Sequence, residues 1–187
     1  MEREEHRQID LGDGPSFRVV VVADTHSRPH PKALDMVAAR APDLILHAGD
    51  IGALSVLDPL ASIAPLVAVR GNIDSADNAL PDVVHLELVV GGVIRARWML
   101  THIAVRGPRL LGPVARRAQA HGAQMVVCGH SHVPFISHDR GVAVFNPGSI
   151  GPRRFRLPIT FGVIDATSTG VSLTHWSCET GASWRPS

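Results

Sequence analysis

Five apolar segments of this chain each end in polar residues, and this repeated pattern constrains the fold more than any other feature. The segments are short and rich in β-branched residues, so each predicts a buried strand rather than a helix. The polar residues that follow them are, in order, DTH, GD, GNID, TH and GHSH. Apolar residues at helical spacing in residues 31–41 and 53–63 separate the first three strands. This alternation predicts right-handed βαβ units around a parallel sheet.

The remaining segments also fit an α/β fold. A hairpin is predicted over residues 83–102, where Gly91 and Gly92 form the turn, and a helix is predicted over residues 108–122. The predicted strands are 17–24, 43–50, 65–72 and 123–130, with shorter ones near 133–137, 142–145, 159–165 and 171–175. The pattern favours one α/β domain over residues 17–187, with a mixed sheet or two packed sheets and helices outside. Residues 1–16 are polar and are expected to form a flexible leader.

Composition narrows the functional classes. The chain has 187 residues, of which 45% are hydrophobic and 19% charged, as expected for a folded globular protein. Its apolar runs are too short to span a bilayer, and no secretory signal is visible. The two cysteines form no close motif, which favours a reducing, cytoplasmic location. The net charge of +1, without a basic stripe, argues against a dedicated nucleic-acid surface.

Seven of the polar residues at the strand ends form a consistent set of metal ligands. Groups beyond the carboxyl ends of parallel strands converge on one crevice, so residues distant in sequence are expected to meet there. The set contains two aspartates, one asparagine and four histidines: Asp24, His26, Asp50, Asn72, His102, His130 and His132. Seven oxygen and nitrogen donors are too many for one tetrahedral zinc ion and suit two adjacent divalent ions. Such a pair, roughly 3.5–4 Å apart, lowers the pKa of a bridging water and hydrolyses phosphate esters.

Each motif alone has an ordinary structural explanation. The DTH and GD segments also suit helix caps or loops, GN suits a turn, and an isolated histidine such as His102 is seldom a ligand. The ordered set, with every member at the end of an apolar strand, is what favours metal binding.

The order D-x-H, GD, GN, H and GHxH resembles the calcineurin-like metallophosphoesterases. The GHSH and NPGSIGPRR segments, together with the small size, are most similar to the compact bacterial and archaeal phosphodiesterases of that superfamily. The resemblance covers about residues 17–165 and implies two packed mixed sheets flanked by helices. It also implies that Asp50 bridges two metals. The ligands would be Asp24, His26, Asp50 and His132 for one metal and Asp50, Asn72, His102 and His130 for the other.

The resemblance implies a two-metal phosphodiesterase acting on a small phosphate ester. Asn72 is expected to bind metal and orient the phosphate, and Asp74 either orders its loop or assists proton transfer. Manganese is the preferred ion, because oxygen ligands share the site with imidazoles, while iron, zinc and nickel stay open. No membrane partner is expected, and a homo-oligomer is compatible with the sequence.

Two positions depart from the family pattern. Many relatives have a histidine after the GN pair, where this chain has Ile73, and many read THGH where this chain has Ile103 and Ala104 after His102. Ile73 in place of histidine argues against difficult monoesters and towards diesters or activated esters. Loss of both imidazoles leaves open a second function, because a retromer subunit with this fold serves as an assembly scaffold.

Five further residues have predicted roles. His47 is expected to lie behind Asp50 as a buried partner rather than a direct ligand. Arg153 and Arg154 either bind a substrate phosphate or occupy the surface. Asn146 and Ser149 are interpreted as turn residues that return the chain beneath the metals.

Overall fold

Two six-stranded sheets form the centre of the fold. The computed structural model describes residues 2–76 and 79–186. Its strands are β1 (Glu4–Asp10), β2 (Phe17–Val22), β3 (Leu44–His47), β4 (Leu66–Ala68), β5 (Val83–Val90), β6 (Val93–Thr101), β7 (Val105–Arg106), β8 (Arg109–Leu110), β9 (Met125–Val127), β10 (Phe135–Asp139), β11 (Val142–Asn146), β12 (Thr160–Thr167), β13 (Gly170–Ser177) and β14 (Ser183–Trp184). The α-helices are α1 (Ala33–Ala38), α2 (Leu57–Ala61) and α3 (Gly112–Ala120), and a short 3-10 helix (Leu54–Val56) precedes α2.

Both large sheets are mixed. The first sheet has the order β1-β5-β6-β9-β11-β10, and the second has the order β14-β13-β12-β2-β3-β4. Strands β2, β3 and β4 run parallel to one another, and β6, β9 and β11 are parallel neighbours in the other sheet. The small β7–β8 pair lies outside both sheets.

Three apolar clusters explain why the sheets pack face to face with helices outside. The central cluster joins inward residues of both sheets, including Val21 and Leu46 from one and Leu86 and Leu100 from the other. Alternate residues of β2 and β3 point outwards and are covered by α1 and α2. Helix α3 covers the outer face of the first sheet in the same way. Strands that are buried on both faces read as continuous apolar runs, and the expected αββα sandwich is confirmed.

The elements lie at their predicted positions, but strands such as β4 and β9 are shorter than predicted, and α3 begins later. Residues 108–111 belong to the β7–β8 ribbon and the turn after it, so α3 begins only at Gly112. Pro113 stands in the first turn of α3, where its missing N–H costs no hydrogen bond. Gly122 follows the C-cap residue with a φ of 63°, as expected for a glycine that ends a helix.

The expectation of a flexible leader is wrong for residues 4–10. They form β1, which pairs in parallel with β5 over seven residue pairs. The segment EEHRQID lacks a strong apolar alternation, so its sequence gave no strand signal. Backbone pairing holds this edge strand, and Arg117 adds contacts to Glu2 (2.6 Å) and Glu4 (3.2 Å).

The helices and the cysteines bear on two of the expectations drawn from the sequence. Among the described residues, every helix is too short or too polar to cross a membrane. Cys128 and Cys178 are free, buried thiols, and burial raises the pKa of each to about 12. Neither thiol is therefore a nucleophile near neutral pH.

Candidate metal centre

The seven sequence-predicted ligands meet at one edge of the sandwich. They follow strands of both sheets: β2, β3 and β4 in one and β6 and β9 in the other. The loops after β2 and β3 are joined by backbone hydrogen bonds, because the N–H of Asp24 donates to Gly49 and that of His26 to Asp50. The carboxyl ends of the parallel strands thus converge as expected.

Five of these seven residues have a left-handed backbone. Their φ values lie between 48° and 70°, and the residues are Asp24, His26, Asp50, His130 and His132. This conformation is uncommon for residues other than glycine, although Asp, Asn and His adopt it more often than most. Such strain persists only where the surrounding structure imposes it, and it is concentrated at functional sites. Here it turns successive side chains sharply away from the strand direction, towards one point.

Asp24, His26 and His132 form the first donor group. One ligand atom from each lies within 4.8 Å of the others. The Nε2 atoms of His26 and His132 face each other at 3.2 Å, and Nε2 of His132 is 3.4 Å from Oδ1 of Asp24. Two facing ring nitrogens and a carboxylate present lone pairs to a common point, which suits a cation.

Asp50, His102 and His130 form the second donor group under the same 4.8 Å limit. Asn72 joins them, because its Oδ1 lies 3.1 Å from Nε2 of His102 and 2.9 Å from Nδ1 of His130. His130 and His132 therefore belong to different groups, although only one residue separates them. The alternating pattern in GHSH allows one strand end to serve both.

Asp50 lies between the two groups. Its Oδ1 is 3.1 Å from Nε2 of His102 in the second group, and its Oδ2 is 3.8 Å from Nε2 of His26 in the first. The backbone N–H of Ile73 also donates to Oδ1, over 3.2 Å. Each carboxylate oxygen thus faces a different donor group, which is the arrangement that a bridging ligand requires.

A hydrogen bond from outside the donor groups orients His102. Its Nδ1 donates to the backbone carbonyl of Ala48 over 2.7 Å, which leaves Nε2 directed towards Asp50 and Asn72. Fixing a ligating imidazole through its other nitrogen is a common feature of protein metal sites.

The charges at the site are unbalanced without a cation. Burial and the nearby Asp50 raise the pKa of Asp24 to about 7, even though His102 opposes the shift. Burial also acts to raise the pKa of Asp50, but the hydrogen bond and charge of His102 outweigh it and lower that pKa to about 2. His102 responds in the opposite sense, because its contact with Asp50 outweighs burial and raises its pKa. Two buried carboxylates that compete for positive charge are a good fit for divalent ions.

The donor chemistry fits the same ions. Carboxylate, amide and imidazole donors without thiolate suit first-row divalent metals such as manganese, iron, zinc or nickel. Nδ1 of His132 is a buried nitrogen without a hydrogen-bond partner in the described part of the chain, while its Nε2 faces the first group. Every donor in this set is compatible with a divalent metal.

Asp74 holds the loops around the site. Its carboxylate accepts backbone hydrogen bonds from Ile51 (3.1 Å), Gly52 (2.8 Å) and Gly71 (2.8 Å). It therefore joins the loop after β3 to the loop after β4. This geometry fits the loop-ordering role of Asp74 and leaves its oxygens engaged rather than directed at a substrate.

His47 lies behind the site, as its sequence position suggested. It is fully buried, its Nε2 is 2.6 Å from the hydroxyl of Thr25, and its Nδ1 accepts the N–H of Gly49 over 3.2 Å. Burial lowers the pKa of His47 to about 4, so the ring is neutral near pH 7. It supports the loops that carry Asp24 and Asp50 and takes no place in either donor group.

Asn146 and Ser149 hold the loops of the site, in addition to the turn role predicted for them. The side-chain amide of Asn146 donates to the carbonyl of Gly129 (2.7 Å) and to the hydroxyl of Ser131 (3.2 Å), which orders the GHSH loop. The hydroxyl of Ser149 donates to the carbonyl of Asp24 over 2.9 Å. The NPGS segment offered the only sequence signal for these contacts, which join strands distant in sequence.

The two consecutive arginines have different surroundings. Nη2 of Arg154 lies 3.2 Å from Nε2 of His26, at the edge of the first donor group. Arg153 turns away, pairing with Glu179 and donating to the carbonyl of Leu157 over 2.9 Å. Only Arg154 of the pair is placed to meet a molecule at the donor groups.

Sequence comparison decides the family. A family model for the calcineurin-like phosphoesterase superfamily domain matches residues 17–169. The chain belongs to this superfamily. It is 31% identical over 140 residues to a probable metallophosphoesterase of Methanocaldococcus jannaschii, an alignment covering 73% of this chain and 69% of that protein. The metallophosphoesterase family and the two donor groups agree with a metal-dependent hydrolase.

Solved structures with this fold include a vacuolar protein sorting protein and a phosphoesterase. Vacuolar protein sorting 29 of Cryptosporidium parvum aligns with a TM-score of 0.72 at 17% identity, covering 91% of this chain and 96% of that one. The phosphoesterase Yfce of E. coli aligns with a TM-score of 0.59 at 20% identity, covering 90% and 97%. At these identities the likeness establishes the metallophosphoesterase fold alone.

Proposed function

We propose that this metallophosphoesterase hydrolyses phosphodiesters at a two-metal centre, with manganese as the preferred activating ion. The observation that carries the proposal is the position of Asp50, whose two oxygens face the two donor groups. Bound ions would neutralise charge on the phosphoryl oxygens and activate the attacking water. The substrate class is a small phosphate ester, and a cytoplasmic location is part of the same proposal.

The residues around the donor groups support a diester in particular. Ile73 and Ala104 stand where many relatives are expected to carry imidazoles; Ile73 is 47% exposed, and Ala104 is buried. Neither side chain transfers a proton to a leaving group, so esters with poor leaving groups are disfavoured. An open cavity of about 210 Å³ beside Asn72 and His102, also lined by Ile103, offers room for a small organic substituent.

Asn72 and Arg154 are the residues best placed to hold the phosphate. The side-chain oxygen of Asn72 lies among the imidazoles of the second group, while the guanidinium of Arg154 borders the first. A guanidinium binds phosphate oxygens through charge-assisted hydrogen bonds. We assign Arg154 to substrate binding, because Arg153 is engaged with Glu179.

The direct test uses metal-stripped protein and two nitrophenyl esters, one a diester and one a monoester. We expect turnover of the diester when manganese is restored, with slower turnover of the monoester. Iron, zinc and nickel are tested in parallel to rank the ions. Absence of turnover of both esters with every ion would contradict the enzyme proposal.

Replacing Arg154 by Gln is expected to raise KM for the diester by about 10-fold while kcat changes less. The reason is the loss of a charge-assisted hydrogen bond of ~1.5 kcal/mol to the phosphate. Arg153→Gln is the matched control, because it removes the same charge one residue away, where the guanidinium is paired with Glu179. Steady-state kinetics of both variants check this assignment, and an equal rise in KM for the two would contradict it.

The alternative function is a metal-binding scaffold without catalysis. Two observations favour it: the absence of imidazoles at positions 73 and 104, and the fold shared with vacuolar protein sorting 29. The complete donor set favours the enzyme, because a scaffold has little need for two full metal shells. Bound metal at full stoichiometry without hydrolysis of either ester would support the scaffold instead.

A further inference from the structure

Three histidines outside the metallophosphoesterase site form a separate cluster. His6 lies on β1, His85 is its register partner on β5, and His121 is the C-cap residue of α3. One ring nitrogen from each lies within 4.8 Å of the others. The ring centroids are 4.7 Å apart for His6 and His85, 4.8 Å for His6 and His121, and 3.7 Å for His85 and His121.

We propose that His6, His85 and His121 form a third metal site, which binds zinc or a similar divalent transition ion. Three imidazoles on three different elements match the ligand number and type of many mononuclear zinc sites. Imidazole is also a ligand that zinc, nickel and copper share, whereas magnesium and calcium prefer oxygen. The site is independent of the proposed phosphodiesterase function.

His85 has a buried nitrogen that lacks a hydrogen-bond partner among the described residues, which indicates that the cluster binds a ligand. Its side chain is 6% exposed, and its Nδ1 has no hydrogen-bond partner within residues 2–76 and 79–186. A buried polar nitrogen without a partner is unfavourable, and a bound ion would relieve it. Nε2 of His85 lies 3.1 Å from one carboxylate oxygen of Glu4, whose other oxygen pairs with Arg117 over 3.2 Å, so a partly compensated carboxylate borders the cluster.

The charges around the cluster do not prevent cation binding. The cluster borders an open cavity of about 390 Å³ that is also lined by Arg7 and Arg97. Each of these arginines is paired with a glutamate: Arg7 with Glu5 at 2.6 Å and Arg97 with Glu87 at 3.0 Å. The adjacent positive charges are therefore largely compensated. Three protonated imidazoles in contact would repel one another, whereas a cation bound to the three unprotonated rings would hold them together.

A metal at this position would join three elements that otherwise meet at the edge of the fold. It would connect β1 to its neighbour β5 and both strands to the end of α3. Since β1 carries few apolar side chains, such a link would stabilise the N-terminal segment in the first sheet. Metal binding to the folded state alone would raise the melting temperature.

The proposal is tested by zinc stoichiometry on the full chain. After equilibrium dialysis against zinc, we expect the parent to contain one more zinc ion per chain than His6→Ala or His121→Ala. Both residues are exposed, so either variant is expected to fold. His138→Ala, which removes an exposed histidine on β10, is the matched control and should retain the parent stoichiometry. Diesterase activity of all variants should be unchanged.

Cobalt substitution and melting temperature give independent readouts. The cobalt absorption spectrum of the parent should contain one component that is missing from the spectra of both cluster variants. Zinc should raise the melting temperature of these variants less than it raises that of the parent. Glu4→Gln should weaken the third site roughly 10-fold, as removal of a supporting carboxylate often does. Equal zinc content and equal zinc-induced stabilisation in parent and cluster variants would overturn the proposal, even if the diesterase is active.

Discussion

Asp50→Asn is expected to lower diester turnover by several orders of magnitude and to reduce metal content, while the fold stays intact. The substitution removes a negative charge and a bridging oxygen at the point where the two donor groups meet. The volume barely changes, and the remaining side-chain oxygen is still able to accept the N–H of Ile73. Metal analysis and the diesterase rate of the purified variant provide the measurement.

Asp58→Asn is the matched control for this prediction. Asp58 is exposed in the first turn of α2, so the same chemical change there leaves the donor groups untouched. Its rate and metal content should equal those of the parent. Near-parental turnover in Asp50→Asn, at equal metal loading, would mean that the bridging assignment is wrong.

Gly71→Ala is expected to abolish most activity through Asp50 without changing any ligand. A methyl group on Gly71 would overlap the carboxylate oxygen Oδ1 of Asp50 and also its backbone nitrogen, which moves only with its loop. Asp50 or the loop after β4, which carries Asn72, must therefore move. We expect metal content and turnover to fall together, and the melting temperature to decrease by a few degrees.

Gly112→Ala provides the comparison, because an added methyl there meets only Arg116 at an ordinary contact distance of 3.5 Å. Its activity and metal content should match the parent. If Gly71→Ala retained both, the close packing of the two loops would not be what positions Asp50.

The sequence predicted those parts of the fold that depend on continuous burial. Strands such as β2 and β3 are covered on both faces, so their apolar runs show in the sequence. Strand β1 gave no such signal, because an edge strand depends on backbone pairing and on ion pairs with Arg117. The N-terminal segment was therefore wrongly expected to be flexible.

The sequence also indicated the candidate ligands and His47 behind them, but not the other contacts that hold the ligand loops. Polar residues directly after buried strands are visible in the chain, and parallel strands bring them to one edge. By contrast, the hydrogen bonds of Asn146 to the GHSH loop depend on pairing between strands distant in sequence. The different surroundings of Arg153 and Arg154 arise from tertiary contacts with Glu179 and His26, which no local pattern encodes.

Anomalous diffraction from crystals grown with manganese tests the two-metal centre most directly. We expect two peaks roughly 3.5–4 Å apart. One peak should lie beside Asp24, His26 and His132 and the other beside Asn72, His102 and His130, with one oxygen of Asp50 on each ion. A single peak, or two peaks that Asp50 does not join, would contradict the account.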